Sequence, residues 1–188
     1  MIPGLATRRR FADLSEQEVL ALAISSEEDD AQIYRNYAER LRADYPASAQ
    51  IFEGMAAEED GHRRQLIERH RERFGEVIPL IRREHVSGFY ARKPVWLAQN
   101  LSLETIRGEA EAMEREAGKF YKLAAQHSSD AATRKLLGDL AAAEMGHEKR
   151  AEELADTHLT DEAKSEEDRA AHRQFILTWV QPGLAGLM

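Results

Sequence analysis

The chain of 188 residues has no cysteine. This excludes disulfides, zinc–thiolate sites, iron–sulfur clusters and cysteine nucleophiles, and it fits a reducing compartment. Proline is scarce, at five residues, so little in the chain interrupts long helices. Positive charge is in deficit: 26 Lys and Arg stand against 34 Asp and Glu, a net charge of -8. That balance argues against a general nucleic-acid binder. Residues 1–10 carry Arg8, Arg9 and Arg10 with no apolar core after them, so they do not read as a secretory signal. Residues 175–188 are apolar but interrupted by Gln181, Pro182 and Gly183, too short and broken to span a bilayer.

Ala, Glu, Arg and Leu dominate what is present, the composition of an all-α protein. The length suits one domain, or one domain plus an appendage. Residues 1–14 read as a loosely packed tail. Ser15 and Glu18 form a capping-box pattern that predicts a helix start. Its apolar stripe runs through Leu20, Ile24, Ala31, Tyr34, Ala38 and Leu41, and Asp44-Tyr45-Pro46 ends it. A second helix is predicted over 47–74, closed by Gly75, with Phe52, Met55, Glu59, His62 and Leu66 on one face. Residues 76–102 break the pattern and are too long for a hairpin loop. They read as a long crossover with short helical pieces, whose apolar residues could also make a dimer contact. Ser102 is placed to cap a third helix with the stripe Ile106, Ala110, Met113, Ala117, Tyr121 and Ala124. A fourth is predicted over 130–154, with Leu137, Leu140, Glu144, His147, Ala151 and Leu154. An acidic connection over 156–168 leads to a final helix near Ser165.

One stretch occurs twice. Met55-Ala56-Ala57-Glu58-Glu59-Asp60-Gly61-His62 is matched by Leu140-Ala141-Ala142-Ala143-Glu144-Met145-Gly146-His147. Each copy contains Glu-x-x-His, which places both side chains on one side of a helix. Two further carboxylates, Glu27 and Glu114, lie inside apolar stripes, where an uncompensated charge is costly. Each precedes a tyrosine, Tyr34 or Tyr121, by the same spacing. The chain is thus two copies of a helical hairpin joined by a crossover. Packed about a pseudo-twofold axis, the hairpins would bring four acidic helices together in a di-metal carboxylate site. Glu59 and Glu144 would bridge, His62 and His147 would each end on one metal, and Glu27 and Glu114 would be outer ligands. Tyr34 and Tyr121 suit either plain core packing or hydrogen bonds to the ligating carboxylates. No catalytic side chain beyond the ligands is assigned. Met55, Met113 and Met145 read as core or near-core packing. His70, His85, His127, His158 and His172 read as surface residues.

The pattern Glu27…Tyr34, Glu59-x-x-His62, Glu114…Tyr121, Glu144-x-x-His147 resembles the rubrerythrin branch of the ferritin-like superfamily over residues 15–155. The resemblance implies an all-α, antiparallel four-helix bundle with a long crossover between helices 2 and 3 and an additional C-terminal helix. It implies two iron ions, with manganese also accepted by these ligands, and a possible extra acid, Glu111 ahead of Glu116. With no cysteine there is no internal rubredoxin-type electron donor. Residues 175–188 resemble the entry to the first membrane helix of the vacuolar iron transporter family. Together the two halves are similar to bacterial membrane-bound ferritins. On that reading residues 15–155 are the cytoplasmic domain and 156–188 a linker and helix leading to a membrane domain, at the inner face of the inner membrane. The expected function is capture of Fe(II) and its oxidation by O2 or H2O2 in the service of an iron exporter, with a homodimer as the expected assembly and no nucleic-acid partner. The alternatives are a freestanding peroxidase fed by an external donor and a non-catalytic iron-sensing dimerisation module.

Overall fold

The computed structural model describes residues 8–87, 102–153, 165, 166, 169 and 170, with side chains described outside 147–153. Four long helices carry the chain: α1 (Glu16–Leu41), α2 (Pro46–Phe74), α3 (Leu103–His127) and α4 (Ala131–Glu153). The all-α bundle is the fold class expected from composition and periodicity.

The helix ends follow local chemistry. The Ser15 hydroxyl accepts the Glu18 amide, and the Glu18 carboxylate accepts the Ser15 amide in return. This satisfies two backbone donors that a helix start leaves open. Pro46 opens α2 at its first position, where its missing N–H costs nothing. Gly75 closes α2 with φ 80°, a conformation other residues rarely adopt. Ser102 caps α3 by accepting the Thr105 amide.

Helices α1 and α2 form one hairpin and α3 and α4 the other, with α1 also packed on α3. Two apolar clusters fill the bundle. One joins Leu20, Leu22 and Val19 of α1 to Leu66 of α2, Phe120 and Ala124 of α3, and Leu137 and Leu140 of α4. The other joins Ile33, Tyr37 and Leu41 of α1 to Ala49 and Phe52 of α2 and Ile106 and Ala110 of α3. The early half of α1 therefore meets the late half of α3, so these two helices run antiparallel. The stripe carboxylates fall between the clusters, in a polar layer walled by apolar ones.

Three expectations need correction. Residues 8–14 are more closely attached than a loose tail. Leu14 is buried, Phe11 packs edge-on against Phe120, and His127 Nε2 lies 3.0 Å from the Leu14 carbonyl. Arg9–Arg10 (β1) also pairs in parallel with Val86–Ser87 (β2), and Arg9 and Arg10 are ion-paired with Glu18 and Asp13. Met145 is 49 % exposed rather than near the core, whereas Met113 is buried and Met55 half-buried against the second cluster. His70 is fully buried, one turn after Leu66 and against the Phe74 ring at 5.5 Å. The basic run around it hides one inward position. His85 and His127 are exposed, as expected.

Burial pushes the His70 imidazole below its ordinary range, with the Gly75 backbone opposing. The native state therefore holds His70 neutral where the unfolded chain, at about 6.5, takes a proton. The His70 contribution to stability is expected to be flat above that pH and to fall below it. Urea midpoints at pH 7.5 and 5.5, compared with those of His70→Leu, check this: the variant should lose part of the acid sensitivity.

The crossover begins on the bundle surface and then docks. Val77 and Leu80 are 79 % and 83 % exposed, while Ile81, Arg83 and Val86 are buried. A short 3-10 turn spans Arg83–His85. Residues 88–101, with the rest of the crossover, lie outside the described residues. So do 171–188, with His172, and most of the acidic stretch, with His158. Of the expected final helix, residues 165, 166, 169 and 170 are described in helical conformation, and Ala170 is buried against the second cluster. Among the described residues, no helix is long and apolar enough to cross a membrane.

Candidate metal centre

Each stripe carboxylate is held inward because its helix neighbours are apolar and buried. Glu27 lies between Ile24 and Ala31, Glu59 after Ala56, Glu114 beside Met113, and Glu144 one turn after Leu140 and Ala141. Glu27 and Glu59 are 3 % exposed, and Glu114 and Glu144 are 1 % exposed. One ligand atom from each of Glu27, Glu59, His62 and Glu144 lies within 4.8 Å of the others. Nδ1 of His62 is 3.2 Å from Glu144 Oε1, 3.3 Å from Glu59 Oε2 and 3.6 Å from Glu27 Oε2. Glu144 also reaches Glu114, and Glu59 reaches Glu27. Glu144 therefore faces groups of both hairpins.

The tyrosines settle between packing and polar contact by doing both. Tyr34 and Tyr121 are each 1 % exposed. The Tyr34 hydroxyl donates to Glu114, and the Tyr121 hydroxyl donates to Glu27. The pairing is crosswise, between α1 and α3. Two helical turns separate Glu from Tyr on each helix, and the helices run antiparallel, so each tyrosine meets the other helix's carboxylate. Burial, reinforced by these carboxylates, pushes both phenols well above their ordinary range. They remain neutral donors.

Electrostatics at the centre is dominated by burial. It pushes the Glu59 and Glu144 carboxyls well above the ordinary range, helped by neighbouring Glu27 and Glu114 respectively. Burial disfavours a charged His62, but the carboxylates of Glu144, Glu27 and Glu59 overcome it and push the imidazole up to about 12. Three buried carboxylates around one imidazole, with Glu114 against Glu144, are compatible only if protons or other cations share the site. The His62 spacings of 3.2 to 3.6 Å resemble the edges of a coordination shell. Such an edge is about 3.3 Å in a tetrahedron with metal–nitrogen bonds of about 2.0–2.1 Å. Donor type, spacing and burial all fit a metal.

Glu111 is not among these residues. It pairs with Arg115 at 2.8 Å on a half-exposed face of α3, and Glu116 is half-buried outside the converging set. His147 sits on α4 one turn after Glu144, and its side chain lies outside the described ones. Periodicity missed Arg83, a buried cation bonded to Ser26 and Asp30 on α1, because the crossover carries no helical stripe.

The Tyr121 contact gives a direct expectation. Tyr121→Phe leaves a buried carboxylate oxygen without its donor, at a cost of about 1–3 kcal/mol. Urea unfolding of the metal-free protein measures it. A variant as stable as the native protein would show that the bond carries no net stabilisation.

The class this defines is an antiparallel helical bundle with a carboxylate-rich candidate metal centre between its two hairpins. The Rubrerythrin family model matches residues 18–155, and the chain belongs to that family, whose members usually bind iron. Searches of curated proteins and of solved structures gave no match.

Proposed function

We propose that this chain binds two iron ions among Glu27, Glu59, His62, Glu114, Glu144 and His147, and oxidises Fe(II) with O2 or H2O2. The observation that carries this reading is the convergence of Glu27, Glu59, His62 and Glu144 within 4.8 Å in a buried layer. Fe(II) is the substrate, each ion giving up one electron, so that two ions reduce one H2O2, with two protons, to two waters. The chain's own part is to bind and to orient. Metal entry displaces protons from the centre, where burial pushes the Glu59 and Glu144 carboxyls well above their ordinary range. Tyr121 and Tyr34 fix the rotamers of Glu27 and Glu114. The apolar clusters on either side keep bulk water from the carboxylates.

The proposal extends to a role beside a membrane iron exporter in a longer chain. Its support is the apolar stretch over 175–188 and its likeness to the entry of such a membrane domain.

An anaerobic Fe(II) titration of the full chain, followed by O2 or H2O2, tests the reading. Saturation at about two irons per chain with rapid oxidation is the expected result. No tight binding would remove the metal reading. Binding without oxidation would leave a sensing or delivery role.

A further inference from the structure

The most deeply buried cation described in the chain is not in the bundle's repeat but in its crossover. Arg83 is 4 % exposed, and its guanidinium faces the segment of α1 that carries Glu27. Nε donates to Ser26 Oγ at 3.1 Å, Nη2 to the Ser26 carbonyl at 3.0 Å, and Nη1 to Asp30 Oδ1 at 3.0 Å. Nη2 also donates to Asp30 Oδ2. The carboxylate is thus gripped by both of its oxygens. Beside it, the Ser25 hydroxyl donates to the Ile81 carbonyl at 2.9 Å and Arg82 pairs with Asp29 at 3.3 Å. The crossover is fastened to α1 on both sides of Glu27.

Asp30 is 6 % exposed and lies one turn beyond Glu27. Residues three apart on a helix share a side, so Asp30 is a fifth buried carboxylate at the edge of the cluster. Its charge is felt at the Tyr34 hydroxyl. It does not join the converging ligand atoms. The matching positions of the other hairpin do not carry the same groups. Setting Glu27 on Glu114 and Tyr34 on Tyr121 places Ser26 on Met113 and Asp30 on Ala117, both apolar. The hairpin fold therefore does not itself require this cluster.

Resting on the metal reading above, we infer that Arg83 is a positioning residue: by gripping Asp30 and Ser26, it holds Glu27 in place and keeps Asp30 out of the coordination shell. The two halves of the centre are made unequal by this one guanidinium. One half is polar and clamped behind its outer carboxylate, and the other is apolar. A bidentate fork suits the task, because it fixes direction as well as charge.

Co(II) titration of the full chain tests this, since the visible bands of the bound ion report its coordination number independently of any oxidation. The native protein is expected to bind Co(II). Arg83→Gln is expected to shift the bands toward higher coordination and to change affinity by about tenfold or more, as for other groups that orient ligands. Adding Asp30→Asn should return the bands to the native form. Arg83→Lys keeps the charge but not the fork, and should lie between native and Arg83→Gln. If Arg83→Gln does not fold, Arg83→Lys alone decides, through a smaller shift in the same direction. Native bands and affinity in the folded Arg83 variants would overturn the inference. So would a shift that Asp30→Asn leaves in place, which would mark general loosening. Absence of Co(II) binding by the native protein would instead remove the metal reading itself, and this inference with it.

Discussion

Glu59→Gln is expected to abolish tight Fe(II) binding while leaving the metal-free protein at least as stable as the native one. Removing a ligand should exceed the roughly 10–100-fold loss that follows from removing a group that only orients one. The stability half follows from burial. Glu59 is 3 % exposed, and its carboxyl is pushed well above the ordinary range by burial and by Glu27. A group whose folded pKa is raised contributes stability fully below its unfolded value, and that contribution is lost as pH rises through the folded value. The native metal-free protein therefore carries a growing penalty above about pH 4.5, the unfolded value, and the neutral amide does not. Calorimetry of chelator-treated proteins at pH 5 and pH 8 checks the sign. The advantage of Glu59→Gln should widen at the higher pH. A variant markedly less stable than native at pH 8 would mean that Glu59 is ionised and compensated without metal.

Metal saturation is expected to raise the melting temperature by several degrees. A ligand at a hundred times its Kd stabilises the folded state by about 2.7 kcal/mol. For a chain of this size about 1 kcal/mol corresponds to about 2–4 °C, so one filled position is worth roughly 5–11 °C. The effect should be visible because the two hairpins meet at the carboxylate layer, and an ion held, as proposed, by Glu59 and His62 from one hairpin and Glu144 from the other would join them directly. Scanning calorimetry with and without chelator measures it. An unchanged transition at saturating Fe(II) or Co(II), under anaerobic conditions, would contradict the bridging role.

Much of this architecture was legible in the residues. Glu27, Glu59, Glu114 and Glu144 stood out because a carboxylate on an apolar stripe is expensive, and four at matched places in a repeat point to a shared purpose. The caps at Ser15, Gly75 and Ser102 could be read from local chemistry alone. What could not be read were contacts that depend on the relation between helices. A stripe says that Tyr34 and Tyr121 face inward, not whose carboxylate they meet. Arg83 was missed because irregular chain has no period against which a buried charge looks out of place. His70 was misread for the opposite reason: its neighbours Arg69, Arg71, Glu72 and Arg73 are so polar that the single inward position disappears in the run. Glu111 shows the converse. The family resemblance suggested it as an extra acid at the centre, yet Arg115 one turn on pairs with it at the surface.

The crosswise tyrosine contacts bear on the order in which the molecule assembles. Tyr34 and Glu114 are 80 residues apart in sequence, and Tyr121 and Glu27 are 94 apart. The contacts within each hairpin are far more local, and local contacts form first because they close short loops. Neither hairpin, folded alone, can complete the hydrogen bonding of its own outer carboxylate, because the donor belongs to the other. Each half of the chain thus acts as a checkpoint on the other, and the layer that would receive metal is finished only when both have docked. A nascent chain with its second hairpin still unmade would present Glu27, Glu59 and His62 without Glu144 or Tyr121, an incomplete set that holds an ion poorly. If the layer takes metal as proposed, its topology alone disfavours loading before the second hairpin has docked.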